Sequence, residues 1–282
     1  MNFRGLRRWA RFGLSADNKN RIGMQAMKNT VSKSNLFDVS GKVALVTGAS
    51  SGIGLHLCGM LLNYGCRVIG ASRSASKSAA LGILCEKHGN SFFPIDIDVR
   101  FSESVDSAFD AIQKKFKCLD IVVNNAGAVT PRRAVDTTQK EWGSVVDTNL
   151  TGPFLVSRSA VPMMINGGSI IQIASIGAFK AFVGLSAYSA SKAGLIMLAR
   201  TLALELGSQS IRVNIISPGY VITPMNSEFL AGPQGEKVRK QIPLERFAEA
   251  SDLDGAILFL SSSASQYVTG ACLHVDGGWE IV

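Results

Sequence analysis

A short apolar segment that runs directly into a glycine-rich turn is the feature that most constrains the fold. Residues 42–47 read KVALVT, which is typical of a buried parallel β-strand. Gly48, Gly52 and Gly54 follow, and an apolar helical pattern occupies residues 55–64. In such a unit the glycines permit a tight turn, close approach of the backbone to a diphosphate, and close packing of helix on strand. The segment therefore predicts a strand, turn and helix that bind nucleotide phosphates at the helix N-terminus.

The rest of the chain alternates between short apolar segments and helical patterns. Further strands are predicted at 66–71, 91–97, 119–123, 168–174, 211–217 and 272–275. Helices are predicted at about 75–88, 102–116, 139–164, 186–206 and 251–261. Strands that alternate with helices form parallel sheets covered on both faces. We therefore expect the α/β class, with a single Rossmann-type doubly wound parallel sheet of about seven strands in one domain, residues 37–282.

The end of the second strand indicates which cofactor is used. Ser72 and Arg73 stand where such folds read the adenosine ribose. An acidic residue there binds a free 2′-hydroxyl, whereas a hydroxyl with a guanidinium suits a 2′-phosphate. NADP(H) is therefore favoured over NAD(H), and a solvated loop arginine is the alternative interpretation of Arg73. Asp98, at the end of the third strand, is placed to hold the adenine amino group.

Two further segments contain residues that local structure alone does not explain, one after the fourth strand and one inside a predicted helix. The fourth strand runs into Asn124–Gly127, whose small residues and amides let the backbone lie beside a cofactor. Asn149 and the pair Gly152-Pro153 fall inside the predicted helix 139–164, although all three residue types are unfavourable there. We expect a bend at Gly152-Pro153, which leaves a freed carbonyl or a water site near Asn149.

Three side chains between residues 175 and 192 have complementary chemistry. Tyr188 and Lys192 are four residues apart and so share one face of a helix. A free phenol has a pKa near ~10, and a neighbouring cation favours its phenolate form. Ser175, at the end of the fifth strand, can hold a carbonyl or alcohol oxygen. Such a pair also occurs by chance in helices, so its combination with the phosphate turn is what predicts proton transfer coupled to hydride transfer.

In combination and in this order, TGASSGIG at 47–54, NNAG at 124–127, Asn149 and the set Ser175, Tyr188 and Lys192 resemble the short-chain dehydrogenase/reductase family. The likeness covers about residues 36–282. The segments IPLERFAEASDLDGAILFLSS and YVTGACLHVDGGW resemble its 3-oxoacyl-carrier-protein reductase and gluconate and glucose dehydrogenase members.

The resemblance implies a role for individual residues. Tyr188 would be the general acid in reduction and the base in oxidation, and Lys192 would lower its pKa and hold the nicotinamide ribose. Ser175 would position the substrate oxygen, and Asn149 would support a water in a proton relay. The implied cofactor contacts are Gly48, Ser50, Ser51, Gly52, Ile53, Gly54, Ser72, Arg73, Asp98, Val99, Asn125, Ala126, Gly127, Tyr188, Lys192, Pro218, Gly219, Val221 and Thr223.

Two departures from the family pattern bear on these roles. Ala174 stands where many members have a second serine, but the spacing from Ser175 to Tyr188 is kept. Ser51 replaces the basic residue that some NADP-dependent members carry in the glycine turn, which leaves Arg73 as the only cation that favours a 2′-phosphate.

These features predict an NADP(H)-dependent oxidoreductase that interconverts a ketone and a secondary alcohol. A 3-oxoacyl thioester is the first substrate expected, because Met225, Phe229 and Leu230 are apolar in the polar segment 224–245, which we expect to be a mobile substrate lid. A sugar or polyol is the alternative. A non-catalytic nucleotide-binding scaffold is disfavoured because no catalytic position is lost. Family analogy implies a homotetramer.

Charge is concentrated at the N-terminus. Residues 1–36 hold eight basic residues against Asp17, a net charge of +7 out of +8, so the remainder gives no reason to expect nucleic-acid binding. The arginines among residues 4–11 share one side of a helical wheel, as in a mitochondrial presequence, and favour the mitochondrial matrix. A basic disordered tail, a start at Met24 or Met27, and a cytoplasmic location are the alternatives.

Metal and membrane binding are not expected. The five cysteines lack CxxC spacing and the three histidines are dispersed, so reduced thiols and no metal site are predicted. No run of about 18 apolar residues is present to span a bilayer.

Overall fold

The computed structural model describes residues 36–282; the predicted N-terminal presequence therefore lies almost wholly outside the described residues. Seven strands form one parallel sheet in the order β3-β2-β1-β4-β5-β6-β7, which confirms the predicted fold class and strand number. The strands are β1 (Val43–Thr47), β2 (Arg67–Ser72), β3 (Phe92–Asp96), β4 (Ile121–Asn124), β5 (Gly168–Ile173), β6 (Ile211–Pro218) and β7 (Cys272–Val275).

Helices cover both faces of this sheet. They are α1 (Gly52–Asn63), α2 (Ala79–His88), α3 (Ser102–Lys115), α4 (Gln139–Val146), α5 (Gly152–Ala160), α6 (Ser186–Leu206), α7 (Ser227–Ala231), α8 (Pro233–Arg239) and α9 (Asp254–Ser261). Within the part of the chain that the structure describes, no helix combines the length and apolarity needed to cross a bilayer.

The strands are apolar throughout because each one is buried on both sides. Successive residues of a strand point to opposite faces, so Leu45 and Ile170 contribute to one core, and Val46 and Ile171 to the other. The first core is completed by residues of α3, α5 and α6, and the second by residues of α1, α2 and α9. Alternation with polar residues is therefore absent from the central strands, as expected of a parallel sheet.

The strand order determines where a ligand can bind. After β1 the chain builds outwards through β2 and β3, and then returns to place β4 on the other side of β1. The connections that leave β1 and β4 therefore diverge at the carboxyl ends of these strands. In open parallel sheets this point of reversal leaves a crevice that serves as the ligand site.

The predicted helix 139–164 is divided in the structure. A five-residue π-helical turn, Asp147–Thr151, separates α4 from α5 and contains Asn149. The distortion therefore precedes the pair Gly152-Pro153, at which the sequence predicted the bend. Pro153 follows directly in α5, and because it has no backbone N–H it cannot donate to the carbonyl four residues earlier, that of Asn149.

The predicted helix 75–88 is also divided. Residues Ala75–Lys77 form a short 3-10 turn, and α2 begins only after Ser78. The Ser78 hydroxyl accepts a hydrogen bond from the backbone N–H of Leu81 at 3.4 Å, so this serine starts a new helix rather than continuing the turn.

Replacement of Gly54 by alanine tests the close contact between α1 and the turn after β1. A Cβ at this position would overlap the Gly48 carbonyl oxygen, and the backbone there has no room to give. We expect Gly54→Ala to lower the free energy of unfolding by about 1–3 kcal/mol, measured by urea denaturation. Gly82→Ala in α2 is the matched control, because nothing lies within 4 Å of its Cβ. It should instead stabilise the protein by roughly 0.5–1 kcal/mol, and a harmless Gly54→Ala would contradict the assigned contact.

Candidate active site

Two adjoining cavities open at the carboxyl ends of the strands. One, of about 240 Å³, is lined by residues that include Ser175, Tyr188 and Lys192. The other, of about 410 Å³, is lined by residues that include Ser72, Arg73 and Asp98. Gly48, Ser51, Gly127 and Ala128 line both, so the cavities meet over the turn after β1.

The turn after β1 is built to let the backbone approach closely. Gly48 has φ +69° and Gly52 has φ +54°, a region that only glycine adopts without strain. A Cβ on Gly48 would lie 2.9 Å from the Cα of Ala126, so the turn and the segment after β4 touch through their backbones. Ser51 is the residue before α1, whose first N–H groups have no partner within the helix.

Thr47 and Asn125 hold the ends of β1 and β4 together. The Thr47 hydroxyl accepts hydrogen bonds from the backbone N–H groups of Asn125 and Ala126, both at 3.0 Å. The Asn125 side-chain amide donates to the Thr47 carbonyl at 2.9 Å. The asparagine predicted to lie beside the cofactor therefore also fixes the geometry of the phosphate turn.

The larger cavity is polar and contains one ion pair that the sequence did not predict. The Arg100 guanidinium donates two hydrogen bonds to Asp98, at 2.9 and 2.6 Å. These bonds are the largest cause that lowers the pKa of Asp98, which therefore stays ionised. Ser72 lines this cavity, and its hydroxyl oxygen, which is shielded from solvent, has no hydrogen-bond partner among the described residues.

Ser175, Tyr188 and Lys192 come from two consecutive elements. Ser175 follows β5, and its hydroxyl accepts a hydrogen bond from the backbone N–H of Gly177 at 3.1 Å. Tyr188 lies in the first turn of α6 and its phenol is hydrogen-bonded to Ser175. Lys192, one turn further along, is 4% exposed. Its Nζ lies 5.8 Å from the centroid of the Tyr188 ring and donates to the carbonyl of Ile173 at 2.7 Å.

Asn149 is fully buried, and its side chain is engaged by two backbone groups and a serine. Its Oδ1 accepts from the N–H of Ala128 at 2.7 Å, and its Nδ2 donates to the carbonyl of the same residue at 2.9 Å. Nδ2 also donates to the hydroxyl of Ser191 at 3.1 Å, and that hydroxyl donates to the Tyr188 carbonyl at 2.7 Å. Asn149 therefore links the loop after β4 to the turn of α6 that carries Tyr188.

The ionisation of the site differs from the sequence expectation. Burial raises the pKa of Tyr188, and the hydrogen bond from Ser175 offsets only part of this rise. Burial lowers the pKa of Lys192 to about 8. The sequence predicted that Lys192 would lower the tyrosine pKa, but in the folded chain the cost of placing a phenolate in a dry environment is the larger effect.

The predicted site residues are gathered almost completely. All of them line one of the two cavities except Gly54, which packs under the turn, and Asn149, which lies behind the wall. Met225, expected from the sequence to meet substrate, lines the smaller cavity. Residues that the sequence analysis did not assign to the site are Ala128, Ile173, Ala174, Pro224 and Asn226 in the smaller cavity, and Ser74, Lys77, Ser78, Ile97, Arg100, Ala128, Ser144 and Thr148 in the larger one.

Asn226 shows why some of these residues were missed. Its Oδ1 accepts from the backbone N–H and the hydroxyl of Thr223, at 2.9 and 3.0 Å, and its Nδ2 donates to the Val221 carbonyl at 2.9 Å. These bonds order the segment that carries the predicted nicotinamide contacts. A threonine followed three residues later by a side-chain acceptor was the available signal, because such an acceptor can reach back to the backbone N–H of the threonine, as in a capping box.

A family model described as "Enoyl-(Acyl carrier protein) reductase" matches residues 48–280. The D-threitol dehydrogenase of Mycolicibacterium smegmatis is 36% identical over 247 residues, which cover 87% of this chain and 95% of that protein. A 3-oxoacyl-(acyl-carrier-protein) reductase of Aquifex aeolicus is 35% identical, with 85% of this chain and 98% of that protein covered.

A solved structure agrees with these relatives. The gluconate 5-dehydrogenase of Burkholderia cenocepacia, in complex with NADP and tartrate, superposes with a TM-score of 0.84 at 29% identity, over 88% of this chain and 98% of that one. The matched family model, the relatives and the shared architecture together show that this chain belongs to the short-chain dehydrogenase/reductase family of oxidoreductases.

Proposed function

We propose that this protein is an NADP(H)-dependent oxidoreductase that interconverts a ketone and a secondary alcohol, with Tyr188 as the proton donor and acceptor. The observation that carries the proposal is one continuous cleft. The hydrogen-bonded pair Ser175 and Tyr188 lies at one end, beside the buried Lys192, and a turn built for phosphates lies in the middle. Proton transfer and cofactor binding therefore have their residues in one place.

The residues of the cleft fit a nicotinamide dinucleotide. The turn that contains Gly48 and Gly52 can form only with glycine: both have positive φ, and a Cβ on Gly48 would collide with Ala126. The N-terminus of α1 lies at this turn. The orphaned Ser72 hydroxyl and the Arg73 guanidinium offer a donor and a charge to a 2′-phosphate. When bound, the cofactor supplies or accepts the hydride. Relatives solved with NADP, such as the gluconate 5-dehydrogenase, support this choice.

Each catalytic side chain has a separate task in reduction. Ser175 holds the substrate carbonyl oxygen beside the Tyr188 phenol, which donates its proton to that oxygen as negative charge develops on it. The raised pKa keeps the phenol protonated at neutral pH, which is the form that reduction requires. Lys192 supplies a positive charge near the phenolate that remains.

The proton that Tyr188 donates must be replaced, and we place the route for this replacement on the Asn149 side of Lys192. The side chain of Asn149 is fully engaged by Ala128 and Ser191, so it has little capacity to bind a water. Its backbone carbonyl lies in the π-helical turn, where the regular helical hydrogen bonds are interrupted. We assign the relay water to this carbonyl, and we assign the asparagine side chain to holding the relay in position.

A 3-oxoacyl thioester remains the first candidate substrate class, although fewer residues support it in the structure than in the sequence. Met225 lines the smaller cavity and is 69% exposed, and Phe229 in α7 is 48% exposed, so both can meet an acyl chain. Leu230 is 7% exposed and packs inside, so it presents no surface to an acyl chain in this conformation. A sugar acid or polyol is the second candidate, because relatives of both kinds match the chain equally well.

Replacement of Tyr188 by phenylalanine tests the proton-transfer role. The variant keeps the ring and loses the proton, so turnover of the substrate should fall by about 10²–10⁴-fold. The assay follows oxidation of NADPH, and of NADH in parallel, with an acetoacetyl thioester and a keto-sugar acid side by side. Tyr64→Phe is the matched control because Tyr64 is exposed and lines neither cavity.

The two substrate arms of this assay separate the two candidates. Turnover of the thioester supports acyl-chain reduction, and turnover of the keto-sugar acid alone overturns it. A Tyr188→Phe variant that retains most of the wild-type turnover would refute the assigned role of the phenol.

The buried lysine predicts how activity depends on pH. Its pKa of about 8 means that Lys192 loses its positive charge as the pH rises through this value. We therefore expect kcat/KM for NADPH, which reports on ionisations of the free enzyme, to fall above about pH 8. Circular dichroism at each pH separates this titration from unfolding. A profile that stays flat on the alkaline side would contradict a role for the charged lysine.

We also propose a homotetramer. Trp142 in α4, Phe154 in α5 and Leu204 in α6 are 42%, 42% and 86% exposed in the single chain. Large apolar side chains left at the surface favour association when they form a patch. Light scattering of the purified protein should give four times the mass of one chain, and a monomeric mass would exclude the assembly.

A further inference from the structure

The larger cavity contains a second cation that the family pattern does not predict. Beyond Ser72 and Arg73, its wall is formed by Ser74, Lys77 and Ser78. These residues belong to the connection between β2 and α2, which the sequence analysis assigned to a continuous helix. Because this helix is interrupted, Lys77 lies in a short turn at the cavity wall rather than in a regular helix.

A carboxylate on the neighbouring strand fixes this turn. Asp96, at the end of β3, accepts hydrogen bonds from the backbone N–H and the hydroxyl of Ser76, at 2.9 and 2.7 Å. These two bonds are the largest causes that lower the pKa of Asp96. Ala75, the first residue of the turn, is 2% exposed and packs into the core. The packing of Ala75 and the hydrogen bonds of Ser76 thus fix the first two residues of the turn, and Lys77 is its third residue.

The cavity has positive charge that no neighbour neutralises fully. Arg100 is committed to Asp98. The side chains of Arg73 and Lys77, by contrast, form no salt bridge or hydrogen bond with any residue from 36 to 282, although Arg73 lies near enough to lower the pKa of Asp98 and Lys77 that of Asp96. Within this range, two residues with unpaired cationic side chains, Arg73 and Lys77, therefore line the same cavity as Ser72, whose buried hydroxyl has no partner.

We propose that Lys77 is the second cation of the 2′-phosphate site and a determinant of the choice of NADP(H) over NAD(H). The inference rests on the proposed use of NADP(H). A 2′-phosphate carries up to two negative charges and accepts several charge-assisted hydrogen bonds, which Arg73 alone does not satisfy. Lys77 thereby takes over the role of the basic residue that is absent at Ser51. Arg73 would then not be the only cation at this site, as the sequence alone suggested.

Binding of adenosine 2′,5′-bisphosphate measures this site without any substrate or turnover. Its affinity and that of 5′-AMP are determined by titration calorimetry on the full chain, for the wild type, Lys77→Ala and Arg73→Ala. We expect Lys77→Ala to weaken binding of the bisphosphate by about ten-fold or more, as for one charged hydrogen bond, and to leave 5′-AMP unchanged. Lys77→Arg should retain most of the affinity because it keeps the charge.

Lys87→Ala is the matched control, because Lys87 is an exposed lysine of α2 that lines neither cavity, and it should bind both ligands as the wild type does. A wild type that does not prefer the bisphosphate over 5′-AMP would overturn the proposed use of NADP(H) itself. A wild type that does prefer it, with Lys77→Ala equally selective, would overturn the role of Lys77 alone. Equal weakening of both ligands would also overturn it, because a residue at the 2′-phosphate cannot act on 5′-AMP.

Discussion

The contact between the ends of β1 and β4 is the interaction on which the site depends. Thr47 and Asn125 exchange hydrogen bonds across these strands, and the backbone of Gly48 lies directly against Ala126. The order in which the chain adds strands to the sheet reverses between the same two strands. Loss of this contact would therefore widen the cleft at its centre. The phosphate turn and the loop after β4 are therefore one unit, although 78 residues separate Thr47 from Asn125 in the chain.

A second network extends from this unit to the reacting groups. Asn149 clamps Ala128 through two backbone hydrogen bonds, and Ser191 joins Asn149 to the carbonyl of Tyr188. Every polar group named here is buried or half-buried, and leaving one of them unpaired would cost free energy. Such a network has few alternative arrangements, so it positions the phenol relative to the cofactor loop more precisely than apolar packing alone.

The sequence predicted those parts of the site that depend on local rules. The strand, turn and helix of residues 42–64 and the helix 186–206 followed from apolar pattern and glycine spacing, and the structure reproduces both. Lys77 was missed because the break at Ser78 depends on Asp96, which is 20 residues from Ser76. Leu230 could not be distinguished from Phe229 because the sequence of a short helix does not reveal which of its apolar residues faces inwards.

The ionisation of Tyr188 could not be predicted from spacing for a related physical reason. Spacing placed a lysine one turn away, which by itself favours the phenolate. Folding also buries Lys192 and half-buries Tyr188, and this loss of contact with water disfavours the charged form of each: the pKa of Tyr188 rises and that of Lys192 falls to about 8. The result is a phenol that keeps its proton until an oxygen with developing negative charge lies beside it.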